Sequence, residues 1–416
     1  MAEAGESRAA RRRRARDARL VSDESGPLSG WALAAGCTAV VALAIKLLIA
    51  GRTYGTNDVL YWEYFVATLH RAGGLGLYHQ VGIFNHPPFM IHALGALDAL
   101  ASLSGGPFRF WLRVPAIFAD LGSVVLVWKL LQPWRRAATH PAALMLLAAA
   151  PASVMISGFH GNTDPVMVFF VLLSVFLWER RRQPWAAGLA LGMAMNIKVV
   201  PVIFLPVIWF AIADRRARLA YLAAAGAAVL VGSLPYLLQD PVFIIRRVLG
   251  YGSLYGHWGL SRLTGFLPPA WLVLDQAYAR FGKYLVLGVI AVVCAWMNRG
   301  RYTPPFFLQY GIVAFLFLAL TPGFGVQYLA WLVPWAVGAG FAWAALYYAA
   351  SGLFLFLVYN FWAQSFPWYL ANSDRVGDWR GAVIGFELAC WVSVVVVLAC
   401  LLKRVARART GGEAPA

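Results

Sequence analysis

The stretch GWALAAGCTAVVALAIKLLIAGRTYGTNDVLYW, residues 30–62, decides the class of this chain. Residues 30–50 form an apolar run of bilayer-crossing length, for which about 20 residues suffice. Thr56-Asn57-Asp58-Val59-Leu60-Tyr61-Trp62 follows directly. A carboxylate is costly in lipid, so one placed where a membrane-embedded cavity meets water is a functional candidate. Asn57 or Asp58 can equally be the N-cap of a helix running to about residue 72, and one residue can hold both roles.

The remaining sequence is of the same kind. The chain has 416 residues, 61% hydrophobic and 13% charged, half the charge of an ordinary soluble protein, about 25%. Apolar runs recur, and the expectation is an all-α polytopic membrane protein with about twelve spans. They lie near 30–50, 112–132, 141–157, 165–179, 185–197, 199–213, 219–237, 282–298, 305–320, 326–341, 342–361 and 382–402. The 185–213 stretch is short for two crossings, and Lys198-Val199-Val200-Pro201 points to a broken hairpin there. The basic cluster Arg11 to Arg14 precedes a run without a small-x-small cleavage site, so the first run is read as a retained span. Residues 1–28 read as a disordered cytoplasmic tail, 29–403 as one transmembrane domain and 404–416 as a second cytoplasmic tail. No internal repeat is visible.

A formal charge of +17 raises the question of nucleic acid, and its distribution answers it. Arg135-Arg136, Arg180-Arg181-Arg182, Arg215-Arg216 with Arg218, Arg299 with Arg301, and Lys403-Arg404 with Arg407 and Arg409 all fall in short loops or tails between spans. With the N-terminus inside, alternate crossing puts each cluster on the cytoplasmic face, as the positive-inside rule requires. Topology and contact with anionic lipid account for nearly all of the net charge. Cys37, Cys294, Cys390 and Cys400 all sit in apolar spans, without zinc-ligand spacing or a disulfide framework.

The outer face carries the polar chemistry. Residues 51–111, the first outer segment, are too apolar for a flexible loop. Residues 58–72 and 88–104 read as amphipathic helices on the outer leaflet. The link Tyr78 to Pro88 is dense in polar and turn residues, and its Pro87-Pro88 also suits a helix start. A second outer turn, His160-Gly161-Asn162-Thr163-Asp164-Pro165, can cap the fourth span. Lys198 either snorkels or binds an anion. The 238–264 loop holds Arg246, Arg247, Tyr251, Tyr255, His257, Trp258 and Arg262, where basic residues gather against the topology rule; snorkelling to headgroups is the alternative to an anionic ligand. Thr321 to Tyr328 is a Gly-rich turn that admits close backbone approach. Of seven histidines only His140 falls on the cytoplasmic side, while His70, His79, His86, His92, His160 and His257 face out. No His-x-x-x-His or tight His/carboxylate spacing occurs, so no metal site and no cofactor are expected.

An outer-loop aspartate, an aromatic-rich turn ending His86-Pro87-Pro88, and the stretch Phe108 to Asp120 with its Arg113-Val114-Pro115 together resemble the integral-membrane glycosyltransferases of the GT-C fold. The His160 to Asp164 turn, the Asn196-Ile197-Lys198 break and Gln327-Tyr328-Leu329-Ala330-Trp331 extend the match over roughly residues 30–400. The chain is most similar to glycosyltransferase family 87, which includes bacterial mannosyltransferases building phosphatidylinositol mannosides. The resemblance implies a GT-C-like bundle in the plasma membrane with both termini cytoplasmic and the site facing out. It also implies a polyprenyl-phosphate-sugar donor, with mannose the family-level expectation, and a lipid or glycan hydroxyl as acceptor. Inversion would occur at the anomeric centre with Asp58 as general base. Lys198, Arg246, Arg247, Arg262 and His257 would hold the donor phosphate. Asn57, Tyr61, His86, His160, Asn162, Asp164, Gln327 and Tyr328 would bind sugar or acceptor. Asn57-Asp58 is not the Asp-x-Asp of metal-dependent relatives. Glu63, five residues from Asp58, lies on another helix face and is the less favoured base.

Tyr61, Trp62, Tyr251, Tyr255 and Trp258 can stack on sugar faces, although most of the 18 tryptophans suit an interfacial belt. A secondary transporter or flippase for a lipid-linked or anionic substrate is the alternative. Transporters show inverted repeats and midplane charges, whereas here polar residues collect at one face. A non-catalytic scaffold leaves that clustering unexplained.

Overall fold

The computed structural model describes residues 30–131, 140–250, 252–300, 302–376 and 379–410. Expectations for the 1–28 tail, Arg135, Arg136, Tyr251 and Arg301 lie outside the described residues.

The chain begins with α1 (Gly30–Arg52), a short strand β1 (Gly55–Thr56) and α2 (Asn57–Gln80). α3 (Phe89–Ser104), α4 (Phe108–Leu131), α5 (His140–Ala148) and α6 (Pro151–Met155) follow, the last running into a π-helical turn, Ile156–His160. Next come α7 (Asp164–Glu179), α8 (Pro184–Ile197), α9 (Leu205–Ala211), α10 (Arg215–Leu237) and α11 (Pro241–Leu249). β2 (Leu254–Tyr255), α12 (Gly259–Thr264), α13 (Leu272–Asn298), α14 (Phe306–Leu320), β3 (Gly323–Phe324), α15 (Leu329–Ala336) and α16 (Phe341–Ala363) lead to β4 (Leu370–Ala371), α17 (Ser373–Val376) and α18 (Ala382–Arg409).

Seven helical segments among the described residues are long and apolar enough to cross a membrane, from Leu33–Arg52 to Ala382–Arg409. Other expected spans are shorter helices, such as Val200–Ala211, Phe306–Leu320 and Val326–Ala339. Burial explains how they can be short. Nearly every residue of α14 is buried against other helices, and backbone enclosed by protein need not match the lipid thickness. The 185–213 stretch is broken as expected: Lys198 is extended (φ −153°, ψ 139°), and a 3₁₀ turn, Val200–Phe204, precedes α9.

Contacts fix the two ends of this bundle. At one end the Phe307 amide donates to Glu179 Oε1 at 2.8 Å, Arg404 donates to the Gly338 carbonyl, and Arg409 donates to the carbonyls of Trp296 and Arg299. At the other, Thr56 Oγ1 donates to the His160 carbonyl at 2.8 Å, and Tyr278 donates to the Leu320 carbonyl at 2.5 Å. Helices therefore run alternately toward and away from the end that holds Asp58. Arg180–Arg182, Arg215–Arg218, Arg299 and the 403–409 cluster lie at the opposite end.

Two small strand pairs organise the Asp58 end. Parallel β1–β4 sets Gly55 opposite Leu370, and antiparallel β2–β3 sets Leu254 opposite Phe324. The two helices expected in the first outer segment are α2 and α3. α2 bends at Gly73 (φ 71°), beside its expected end.

Candidate active site

The start of α2 settles what Asp58 is locally. Thr56 is the N-cap: its hydroxyl oxygen accepts from the Asp58 amide at 3.3 Å. Neither Asn57 nor Asp58 therefore caps the helix, and the Asp58 carboxylate is released for other work. Asp58, Tyr61, Trp62 and Phe65 recur at i, i+3, i+4 and i+7, one helical face, and all four line a cavity of about 850 Å³. That is ample for a sugar phosphate. The rest of the lining includes Asn85, His86, Asn162, Lys198, Arg246, Arg247, Ser253 and Gln327.

Asp58 Oδ2 takes two contacts from the π-helical turn and the residues after it. Asn162 Nδ2 donates to it at 2.7 Å, and His160 Nε2 lies 3.1 Å away. His160 Nδ1 is 2.9 Å from the Tyr359 hydroxyl. Oδ1 has no partner among the described residues, and the side chain keeps 26% of its surface exposed toward the cavity. Burial alone would raise the Asp58 carboxyl. The charge and hydrogen bond of His160, with Asn162 and the Lys198 charge, outweigh it and hold the group below the usual carboxylate range.

Close approach makes this geometry possible. Gly161 (φ 83°) lies where a Cβ would sit 2.3 Å from Val59 Cγ2, and a Cβ at Gly55 (φ 113°) would sit 2.7 Å from the Phe159 carbonyl oxygen. Arg113, fully buried, ties the same two segments together. Its guanidinium donates to Thr53 Oγ1 and to the carbonyls of Thr53, Tyr54, Gly158, Phe159 and Arg109, at 2.8–3.3 Å.

Asp164 is fully buried and does not face the cavity. It does not cap its helix either, since the Thr163 cap position shows no side-chain cap bond. Its two oxygens accept from Lys198 Nζ at 2.9 and 3.0 Å, and Trp331 Nε1 donates to it as well. Lys198 also lies 5.2 Å from the Tyr328 ring centroid and 5.6 Å from that of Trp331, within cation–π range. Tyr328 is buried, 2.7 Å from Ser253 Oγ through its hydroxyl, while Gln327 reaches the cavity.

His86 lines the cavity beside Trp62, ring centroids 4.6 Å apart. Burial, and then the Lys198 charge, push its imidazole down to about 4, so it is neutral at physiological pH.

The two arginine groups part company. Arg246 and Arg247 line the cavity from α11. Arg247 donates to the carbonyls of Gly82 at 2.9 Å and Tyr78 at 3.3 Å. Arg246 is exposed and has no side-chain partner among the described residues. Arg262 and His257 do not line the cavity, contrary to the grouping expected from sequence. Arg262 Nε donates to Glu387 at 3.3 Å, and His257 Nδ1 is 2.9 Å from the Tyr255 carbonyl. Tyr255 instead donates to Asp275 at 2.5 Å, and Trp258 is buried against Phe324.

Asp374 escaped the sequence reading. It accepts from the Tyr61 hydroxyl at 2.6 Å and lies 3.5 Å from Asn57 Nδ2, brought there by β1–β4 pairing. A carboxylate in an outer loop was the one available signal. Glu63 accepts from Tyr54, away from the cavity.

Comparison with known proteins points the same way. The family model described as glycosyltransferase family 87 matches residues 84–322, more than half of the chain. A polyprenol-phosphate-mannose-dependent alpha-(1-2)-phosphatidylinositol mannoside mannosyltransferase of Mycobacterium tuberculosis is 24% identical over 343 residues, covering 77% of this chain and 79% of that protein. A protein of the same description from Mycolicibacterium smegmatis is 26% identical over 179 residues, 38% of this chain and 36% of that protein.

Proposed function

This chain belongs to glycosyltransferase family 87, and from that premise we propose that it moves mannose from polyprenyl-phosphate-mannose to a hydroxyl of a phosphatidylinositol-mannoside-like lipid. The observation that carries the reading is one cavity lined both by a carboxylate with a free oxygen, Asp58 Oδ1, and by Lys198, Arg246 and Arg247.

The acceptor oxygen attacks the sugar C1 from the Asp58 side. The C1–O bond to phosphate breaks, its electron pair passes to the phosphate oxygen, and the acceptor proton goes to Asp58 Oδ1. Attack opposite the leaving group inverts the anomeric centre. A carboxylate kept ionised is in the state that takes a proton as attack makes the hydroxyl acidic. His160 and Asn162 hold Oδ2, which aims Oδ1. The phosphate gains negative charge as the bond breaks, and cationic donors stabilise that charge most when already in place. Arg246 has no protein acceptor among the described residues, and Arg247 is held by two carbonyls and the Phe243 ring, so neither is neutralised by a carboxylate. Lys198 lines the same cavity with its charge matched by the buried Asp164, so it adds a positioned N–H donor rather than an uncompensated cation. Val242, Ile245 and Leu249 form an exposed apolar row on α11 beside the cavity, a surface suited to a polyprenyl chain. The basic clusters at the opposite end support an outward-facing site, both termini being cytoplasmic.

The test is transfer of radiolabelled mannose from polyprenyl-phosphate-mannose in membranes, comparing wild type with Asp58→Ala and Asp58→Asn. Transfer by wild type that is lost in both inserted variants supports the base. Equal transfer by all three removes Asp58 from the chemistry. No transfer by any of them rejects this donor, and other lipid-linked sugars then identify the right one.

A further inference from the structure

The cations of the cavity leave the acceptance of sugar hydroxyl protons to its neutral groups, among them Asn85, Ser253, Gln327 and His86. Lys198, Arg246 and Arg247 only donate, and Asp58 Oδ1 is reserved for the transferred proton. A sugar presents several hydroxyls, each of which needs somewhere to donate.

His86 meets that need. Its Nδ1 lies 3.4 Å from the Ile197 carbonyl, an acceptor only, so Nδ1 carries the hydrogen. Ile197 is the last residue of α8, where the chain turns extended at Lys198, so its carbonyl has no helical partner. With Nδ1 protonated in a neutral ring, Nε2 holds a lone pair. Nε2 has no partner among the described residues and is not among their unpartnered buried atoms, so it reaches open space in the cavity that the ring lines. Packing against Trp62, and Phe84 at 5.8 Å, fixes the ring plane. Lys198 and Asp58 both act electrostatically on the ring. The ring lines the same cavity as the cations Lys198, Arg246 and Arg247 and the base Asp58, and the group that must sit between phosphate and base is the transferred sugar.

We propose that His86 is a specificity-determining residue whose Nε2 accepts a hydrogen bond from one hydroxyl of the transferred sugar, its tautomer set by the Ile197 carbonyl. This rests on the transferase reading above. A phosphate oxygen cannot be its partner, because an acceptor facing an acceptor repels.

Two measurements test it. The first pairs wild type and His86→Phe, which keeps an aromatic ring against Trp62, with donors lacking one sugar hydroxyl at a time. Wild type should lose about five- to tenfold in kcat/KM with one of these donors. His86→Phe should show the same loss with the complete donor and no further loss with that deoxy donor. Equal deoxy penalties in both proteins overturn the proposal. The second needs no turnover: ¹⁵N-histidine correlation spectra of the detergent-solubilised protein, His86 being assigned by its absence in His86→Phe. A protonated Nδ1 with an unprotonated Nε2 at neutral pH is expected, and an Nε2–H tautomer or an imidazolium overturns the proposal. Absence of transfer by wild type sinks the donor assignment alone, and the spectrum then still decides the tautomer.

Discussion

Arg246 and Arg247 on α11 and Arg262 on α12 lie within twenty residues of one another, in the same basic loop, yet they face different fates. Arg262 meets the fully buried Glu387, which also accepts from the Gly259 amide at 2.9 Å. Its charge is matched inside the protein. Arg247 meets two carbonyls and the face of the Phe243 ring, none of them charged, and Arg246 meets no protein acceptor among the described residues. Their charge is left for something else. An arginine near a site is thus available to an anion when its protein partners carry no charge, and composition of the loop does not reveal which case applies.

The contrast breaks most readily in kinetics. Replacing Arg246 and Arg247 together by Gln should lower kcat/KM by about 10²- to 10³-fold, the scale of losing pre-placed donors at developing charge. Arg262→Gln should cost less than about tenfold, because it faces Glu387 instead of the phosphate. Equal losses in the two variants would erase the distinction.

Stability should show the opposite ranking. Glu387→Gln leaves Arg262 without its counter-charge and should lower stability by about 3 kcal/mol, read as the unfolding midpoint in detergent. The Arg246/Arg247 double variant should lower stability by less, about 1–2 kcal/mol, through loss of the Arg247 hydrogen bonds to Gly82 and Tyr78. A midpoint that falls more in the double variant would mean that α11 is held by its arginines.

The smallest effect is in pH. His86 is lowered from 6.5 to about 4, so the folded state binds fewer protons there than the unfolded chain. That contribution is complete above pH 6.5 and is lost as pH falls toward 4. At most about 3 kcal/mol is at stake, reduced by the ring's partial exposure. The midpoint of wild type should therefore drop more between pH 6.5 and 4.5 than that of His86→Phe. Asp58, held below 3.8, stays ionised over that range, so its own stabilising contribution is lost only below it. An activity limb near pH 6 would then have to come from a group other than these two.

Much of this arrangement is legible in residues 30–62 and the short polar turns. The span ahead of Asp58, helices α2 and α3 and the break at Lys198 follow from local pattern, while the grouping of the His160 turn with Asp58 follows from the resemblance to the GT-C enzymes. Three features do not. The cap moved to Thr56, because a hydroxyl held by the His160 carbonyl, 104 residues away, decides where α2 starts. Helices such as α14 are shorter than lipid requires, because enclosure by neighbours removes that requirement. Asp374 and Glu387 are set by pairings across 313 and 125 residues, beyond any spacing rule. Arg113 stands between these cases: its place in a short motif is visible, and its six carbonyl and hydroxyl acceptors are not.

The most direct test of the central claim measures donor affinity and single-turnover transfer side by side in Asp58→Asn. A general base acts on the acceptor proton and does not hold the donor phosphate. Affinity for polyprenyl-phosphate-mannose should stay within about threefold of wild type, while transfer falls by about 10³-fold. Transfer preserved at the wild-type rate, or binding lost in step with transfer, would contradict the assignment of Asp58 as the base.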